Sequence, residues 1–200
     1  MKDDTIETFT VGRCTVKIYI DQDPPNPMKD YDGEGIFYSF SNRHINSVSQ
    51  EKAEEIMRTN KFWVPLSYFE HGLCLWDVQH GEQIGRCPDM QWDGVSFAGI
   101  WIPDDYAKDN LGIKPKTPLT KRLRKKIEEY AAGCCKTYTS WCNGECYGYV
   151  VSADGAEDDS CWGFLGDIEY CKERAKSVAE TMDKELAETE EQTELAECYP

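Results

Sequence analysis

From residue 8 to residue 20 the chain reads T-F-T-V-G-R-C-T-V-K-I-Y-I. Val16, Ile18 and Ile20 alternate there with Thr15, Lys17 and Tyr19, which predicts a strand with one buried face. Residues 21–35 break the pattern with three prolines and two glycines among acids, and this predicts a loop. Residues 35–40, G-I-F-Y-S-F, return to a strand, and residues 49–60 form a helix that opens on a capping serine, carries early acids and closes near an arginine. The aromatic-rich runs 62–69 and 73–78, with His71-Gly72 between them, predict a hairpin, and 95–102 a third strand of the same sheet. Pro103-Asp104-Asp105 starts a short helix, and Pro118 starts a longer one to residue 133 with Leu119, Leu123, Ile127 and Tyr130 at helical spacing. Runs 146–153 and 160–165 flank Asp154-Gly155 as a last hairpin. From residue 167 a helix places Cys171, Ala175, Val178, Met182 and Leu186 on one face.

These elements predict an α+β fold: a mainly antiparallel sheet of about six strands, covered on one face by the helices 118–133 and 167–187. Residues 1–187 read as a single domain. Residues 188–200 read as an acidic, mobile tail, because the apolar face of the last helix ends near Leu186.

Charge narrows the class of partner. Twenty-two basic side chains stand against 37 acidic ones, a net of −15, which opposes any broad contact with a phosphate backbone and leaves nucleic acid accessible only to a local basic patch. No apolar run reaches the length of a membrane span, and no signal-peptide core follows Met1, so a cytoplasmic location is expected. The ten cysteines are irregularly spaced. Reduced, mostly structural thiols are therefore expected, with no metal and no cofactor.

Candidate chemistry competes with packing at each place. Cys161 lies in D-S-C-W-G-F-L-G, where alternation sets Cys161 and Gly163 on one face and Trp162 and Phe164 on the other, while Asp158 and Asp159 disfavour a thiolate. We read Cys161 as a packing residue and Trp162 as buried. Cys134, Cys135, Cys142 and Cys146 are dense enough to suggest zinc, yet C-C-x6-C-x3-C is a poor match to structural-zinc spacings. The acids Asp21, Asp23, Asp30, Asp32 and Glu34 lack the spacing of a calcium loop, and prolines interrupt them. The basic run of Lys121, Arg122, Arg124, Lys125 and Lys126 reads as a solvated helix face. Glu70-His71, with Trp92-Asp93 in a following loop, is the most site-like polar group, since a histidine beside carboxylates has the makings of acid–base chemistry.

Five blocks, D-Q-D-P-P-N-P at 21–27, P-L-S-Y-F-E-H-G at 65–72, C-P-D-M-Q-W-D-G at 87–94, Y-G-Y-V-V at 147–151 and D-S-C-W-G-F-L-G at 159–166, together resemble a bacteriophage protein family of uncharacterised activity, in order and rough spacing over about residues 14–180. The chain departs from the family's pattern at F-S-N-R-H-I, where Ser41 takes a histidine position and Arg43 alone is kept of paired arginines. It departs again at the thiols of W-C-N-G-E-C. The resemblance implies a phage or prophage source and no particular reaction. With the charge, it leads us to expect an acidic accessory protein that binds a host protein, such as a nucleic-acid-binding or defence protein, and inhibits or redirects it by charge mimicry. Glu70, His71, Trp92, Asp93, Asp158 and Asp159 are the expected contact residues. The alternative is a small hydrolytic enzyme using Glu70, His71 and Asp93, which requires these three side chains to converge.

Overall fold

The computed structural model describes residues 5–87 and 89–198, with side chains up to residue 193. The start of the chain through Asp4, Pro88 of the C-P-D-M block, and the side chains of Glu194, Glu197 and Cys198 in the expected tail lie outside the described residues.

In chain order the strands are β1 (Thr5–Val11), β2 (Cys14–Ile20), β3 (Ile36–Ser39), β4 (Val64–His71), β5 (Leu73–Val78), β6 (Gly94–Ile102), β7 (Cys146–Ser152) and β8 (Asp159–Leu165). The helices are α1 (Pro27–Asp30), α2 (Gln50–Thr59), α3 (Met90–Asp93), α4 (Asp105–Asn110), α5 (Lys121–Cys142) and α6 (Ile168–Cys198). The class is α+β, as the pattern predicts, but the strands form two four-stranded antiparallel sheets instead of one sheet of about six. The two long helices each cover a different sheet. The chain divides into two compact units, one built from Met1–Pro24 with Gly144–Pro200 and the other from Pro25–Asn143. No helix among the described residues is long and apolar enough to cross a membrane.

The terminal unit holds the sheet β1-β2-β7-β8. The run read as one strand over 8–20 is a hairpin, because Gly12 takes φ +57 and turns the chain between Val11 and Cys14. Cys14, Val16, Ile18, Tyr149 and Val151 point from the sheet to Cys171, Ala175 and Ala179 of α6. These three helix residues recur every fourth position and are small, so the helix axis lies close against the strands. Arg13, at the hairpin turn, bonds Asp183 of α6 at 2.9 Å and Glu190 at 2.6 Å. That pairing holds the Asp183 carboxyl below its ordinary range, chiefly through the Arg13 hydrogen bond. α6 runs on as helix to Cys198, past the point where its buried row stops.

Strand β8 overturns the expectation for Cys161 and Trp162. Tyr147 pairs with Phe164 and Tyr149 with Cys161, so β8 carries one extra residue there, and Gly163 absorbs it at φ +88. The bulge breaks the alternation that should put Trp162 and Phe164 together. Phe164 packs toward Tyr149 at 5.8 Å, whereas Trp162 lies on the other face, over Gly148 and 5.9 Å from Tyr19, and stays 48% exposed. Cys161 is also exposed.

The central unit holds the sheet β3-β6-β4-β5. Against one face α5 packs Ile127, Ala131, Cys134, Cys135 and Tyr138 onto Phe37, Leu66, Trp76 and Trp101. Gly133 does not end this helix, because the apolar row continues through Cys134, Cys135 and Tyr138 to Cys142. Helix α2, capped by the Ser49 hydroxyl as its sequence predicts, puts Ile56 against Ile100 and Ile102. The proline-rich loop is more ordered than its composition predicts: Asn26 caps the short α1. Asp104 accepts the N–H of Gly33, Gly35 and Ala107, and Trp101 donates its indole N–H to the Glu34 carbonyl at 2.8 Å.

Candidate functional site

The central sheet and the end of α5 build a pocket of about 330 Å³. On β4 and β5 the pairs Tyr68↔Trp76 and Glu70↔Cys74 lie directly opposite, so strand alternation brings these four side chains to one face, toward Tyr138 and Trp141 of α5. The turn after β3 adds Arg43 and His44. The Tyr68 hydroxyl donates to Glu70 Oε2 at 3.0 Å, and Arg43 reaches the same oxygen at 3.6 Å.

His44 is held by a buried serine. Ser39, fully buried, accepts the Ser41 N–H and stands 2.7 Å from His44 Nδ1. With one lone pair taken by the Ser41 N–H, the Ser39 hydroxyl keeps its O–H and a second lone pair facing Nδ1. The ring sits edge-on to Tyr68 at 4.8 Å and to Trp76 at 5.3 Å. Burial, then the Arg43 charge, lower its pKa, so His44 is neutral at pH 7.

Two thiols meet at the pocket wall. Both amide arms of Asn143 bind the Cys74 backbone, each at 2.9 Å, and this brings Cys142, the preceding residue, to Cys74. The hydrogen bond with Cys74, then burial, pushes the Cys142 thiol far above its ordinary range. Burial and neighbouring groups likewise raise the Tyr68 and Tyr138 phenols. The thiol and phenols therefore keep their protons at pH 7, and the formal charges of the pocket are Arg43 and Glu70. None of these three groups is activated as a nucleophile by a lowered pKa.

The six expected contact residues do not form one group. Glu70 and His71 are sequence neighbours on a strand, so they face opposite sides of the sheet. His71 instead meets Asp93 of α3, Nδ1 to Oδ2 at 2.8 Å, which raises the imidazole pKa, first by the hydrogen bond and then by the carboxylate charge. That pair lies open to solvent, with His71 72% and neighbouring Trp92 78% exposed. Asp158 and Asp159 belong to the other unit and are exposed. Sequence reasoning passed over Ser39 and His44, since nothing in a turn such as S-F-S-N-R-H marks which residues will fold back onto a neighbouring strand.

The dense cysteines also separate. Cys134 and Cys135 are buried along α5, with burial raising both thiols, Cys142 lines the pocket, and Cys146 belongs to the terminal unit, where it faces Asp21. Among the described residues no group of three or more His, Cys, Asp or Glu side chains is placed to hold a metal ion. Comparison with protein-family models, with curated proteins and with solved structures finds no match to this chain.

Proposed function

We propose that this chain is an acidic binding protein of bacteriophage origin whose terminal unit engages a basic surface on a host protein, one that grips nucleic acid or acts in defence, and inhibits or redirects it. The observation that carries this reading is the distribution of charge. The terminal unit contains 7 basic and 21 acidic side chains, a net of −14, whereas the central unit contains 15 basic and 16 acidic, a net of −1. A net charge of −15 spread evenly would be ordinary solubility. Concentrated in fewer than half the residues, it raises a field that speeds encounter with cations and competes with phosphate for them.

Two further features support binding. Trp162, half exposed beside Tyr19, gives the terminal unit an aromatic anchor of the kind that sits at the centre of protein interfaces, with Asp158 and Asp159 on the same strand and its approach. The hydrolytic alternative needs Glu70, His71 and Asp93 together, and only His71 and Asp93 meet. The phage setting rests on the sequence resemblance alone.

The test is affinity capture from host lysate with mass spectrometry, run beside two variants. One replaces Asp158, Asp159, Glu173 and Glu185 by their amides, and the other is Trp162→Ala. A partner retained by the wild-type chain and lost by both variants at unchanged melting temperature supports the reading. A partner equally retained by both overturns it.

A further inference from the structure

The central unit carries a basic surface that the acidic total conceals. Arg58 and Lys61 at the end of α2, Lys108 on α4, and Lys114 on the loop after α4 line a cleft of about 720 Å³ together with Asp105 and Asp109. The cleft is continuous with the start of α5: Lys61 Nζ donates to the Thr117 carbonyl at 2.7 Å and Arg124 to the Trp63 carbonyl at 2.6 Å. From there Lys121, Arg122, Lys125 and Lys126 project into solvent in two i,i+4 rows, and Lys116 is exposed on the loop before them. Of these cations, Lys108 and Lys125 have ion-pair partners among the described residues, Asp105 at 2.8 Å and Glu129 at 3.6 Å. Lys114, Lys116, Lys121, Arg122 and Lys126 have none there.

The position of the run opposes local stability. The first turn of α5 contains no acid, and two exposed cations, Lys121 and Arg122, sit in it at the positive end of the helix, where each is unfavourable, with Lys125 and Lys126 one turn on. A sequence that breaks a local rule without a compensating contact is under another demand. The surface composition says which. Among the described residues none of the exposed large apolar side chains falls on the 58–62 or 111–126 segments, and the one on α4, Tyr106, lies toward Gly33 and is absent from the cleft lining, so the patch lacks the apolar centre of a protein interface. A polar, strongly basic surface has the character of one that follows a phosphate backbone.

We propose that this surface, Lys114, Lys116, Lys121, Arg122, Lys125 and Lys126 beside the Arg58–Lys61 cleft, binds the phosphodiester backbone of nucleic acid without reading its sequence. This goes beyond the engagement of a host protein by the terminal unit and stands or falls separately from it. The net −15 suppresses long-range attraction, yet at physiological salt charges more than about 8 Å from the contact are largely screened, so the local patch governs the bound state.

The test is fluorescence anisotropy of the full chain with labelled single-stranded and duplex DNA of about 20 nucleotides, titrated with salt. Four phosphate contacts predict an affinity that falls about 50-fold between about 50 and 150 mM salt. The quadruple variant Lys121→Gln, Arg122→Gln, Lys125→Gln, Lys126→Gln is expected to bind at least ten-fold more weakly and with a shallower salt slope, while its melting temperature holds or rises. Lys114→Gln with Lys116→Gln, which leaves the helix untouched, is expected to weaken binding in the same direction. No binding of either probe at low salt overturns the proposal, as does wild-type affinity in both variants. Displacement of DNA by a glutamate peptide of equal charge with equal potency also overturns it, in favour of an acidic protein segment.

Discussion

His44 and His71 occupy opposite environments and should titrate in opposite directions. Burial and Arg43 lower His44, whereas the Asp93 bond raises exposed His71. Both start from about 6.5 in the unfolded chain. For His44 the unfolded state binds the proton more readily, so its contribution to stability is complete above about pH 6.5 and is lost as pH falls through the lower folded value. For His71 the folded state binds the proton more readily, so its contribution is complete below about pH 6.5 and is lost as pH rises through the higher folded value. A proton NMR titration should show two midpoints on either side of the ordinary value, and Asp93→Asn should return the upper one toward it while leaving the lower one in place. Coincident midpoints in the native chain would refute both environments.

At the scale of elements, the two-residue period of a strand explains two failures of the sequence reading. Glu70 and His71 read as one site in the sequence although that period sends neighbours to opposite faces; the same period groups Tyr68 with Glu70 and Cys74 with Trp76 on the pocket face. Applied to Trp162 and Phe164 it misleads, because Gly163 inserts the extra residue of a bulge that only its pairing with β7 reveals. The energetic consequence can be measured. Trp101 is fully buried and bonded through its indole, so Trp101→Ala should cost about 3–5 kcal/mol in chemical denaturation, the usual range for truncating a buried large aromatic. Trp162→Ala, half exposed, should cost less than about 2 kcal/mol. Gly163→Ala, forced to keep φ +88, should cost about 1–2 kcal/mol and shift Trp162 fluorescence, since the indole depends on that bend. Equal losses for the two tryptophans would contradict the exposure of Trp162.

Over the whole molecule, charge and burial are unevenly distributed, and the end of α6 shows both. Its buried row stops at Ala179, while Glu185, Glu188, Glu190 and Glu191 continue along an exposed helix. Removing residues 188–200 takes away five acids and the Arg13–Glu190 contact, but leaves Arg13 on Asp183 and the packed row intact. The truncated chain should therefore fold, melt within a few degrees of the full one, and show a smaller rise of melting temperature as salt increases, because less self-repulsion remains to be screened. Loss of cooperative melting on truncation would show that the distal helix is structural.

What the sequence determined by itself is local. Alternation and helical spacing, turn glycines and the Ser49 cap follow from interactions within a few residues, so the β4–β5 and β7–β8 hairpins, α2 and the α+β class could be read directly from it. The count of charges was equally plain. Tertiary structure decided what depends on residues far apart in the chain: that β2 pairs with β7, 127 to 137 positions away, to make a second sheet, and that Gly12 folds one apparent strand into two. It likewise folded His44, bonded to Ser39, onto Tyr68 and Trp76, and it divided the −15 into a unit of −14 and one of −1. Periodicity reports which face of an element is buried. Which partner buries it is set by long-range contacts whose loop-closure cost depends only weakly on separation, so no short stretch of sequence encodes the choice.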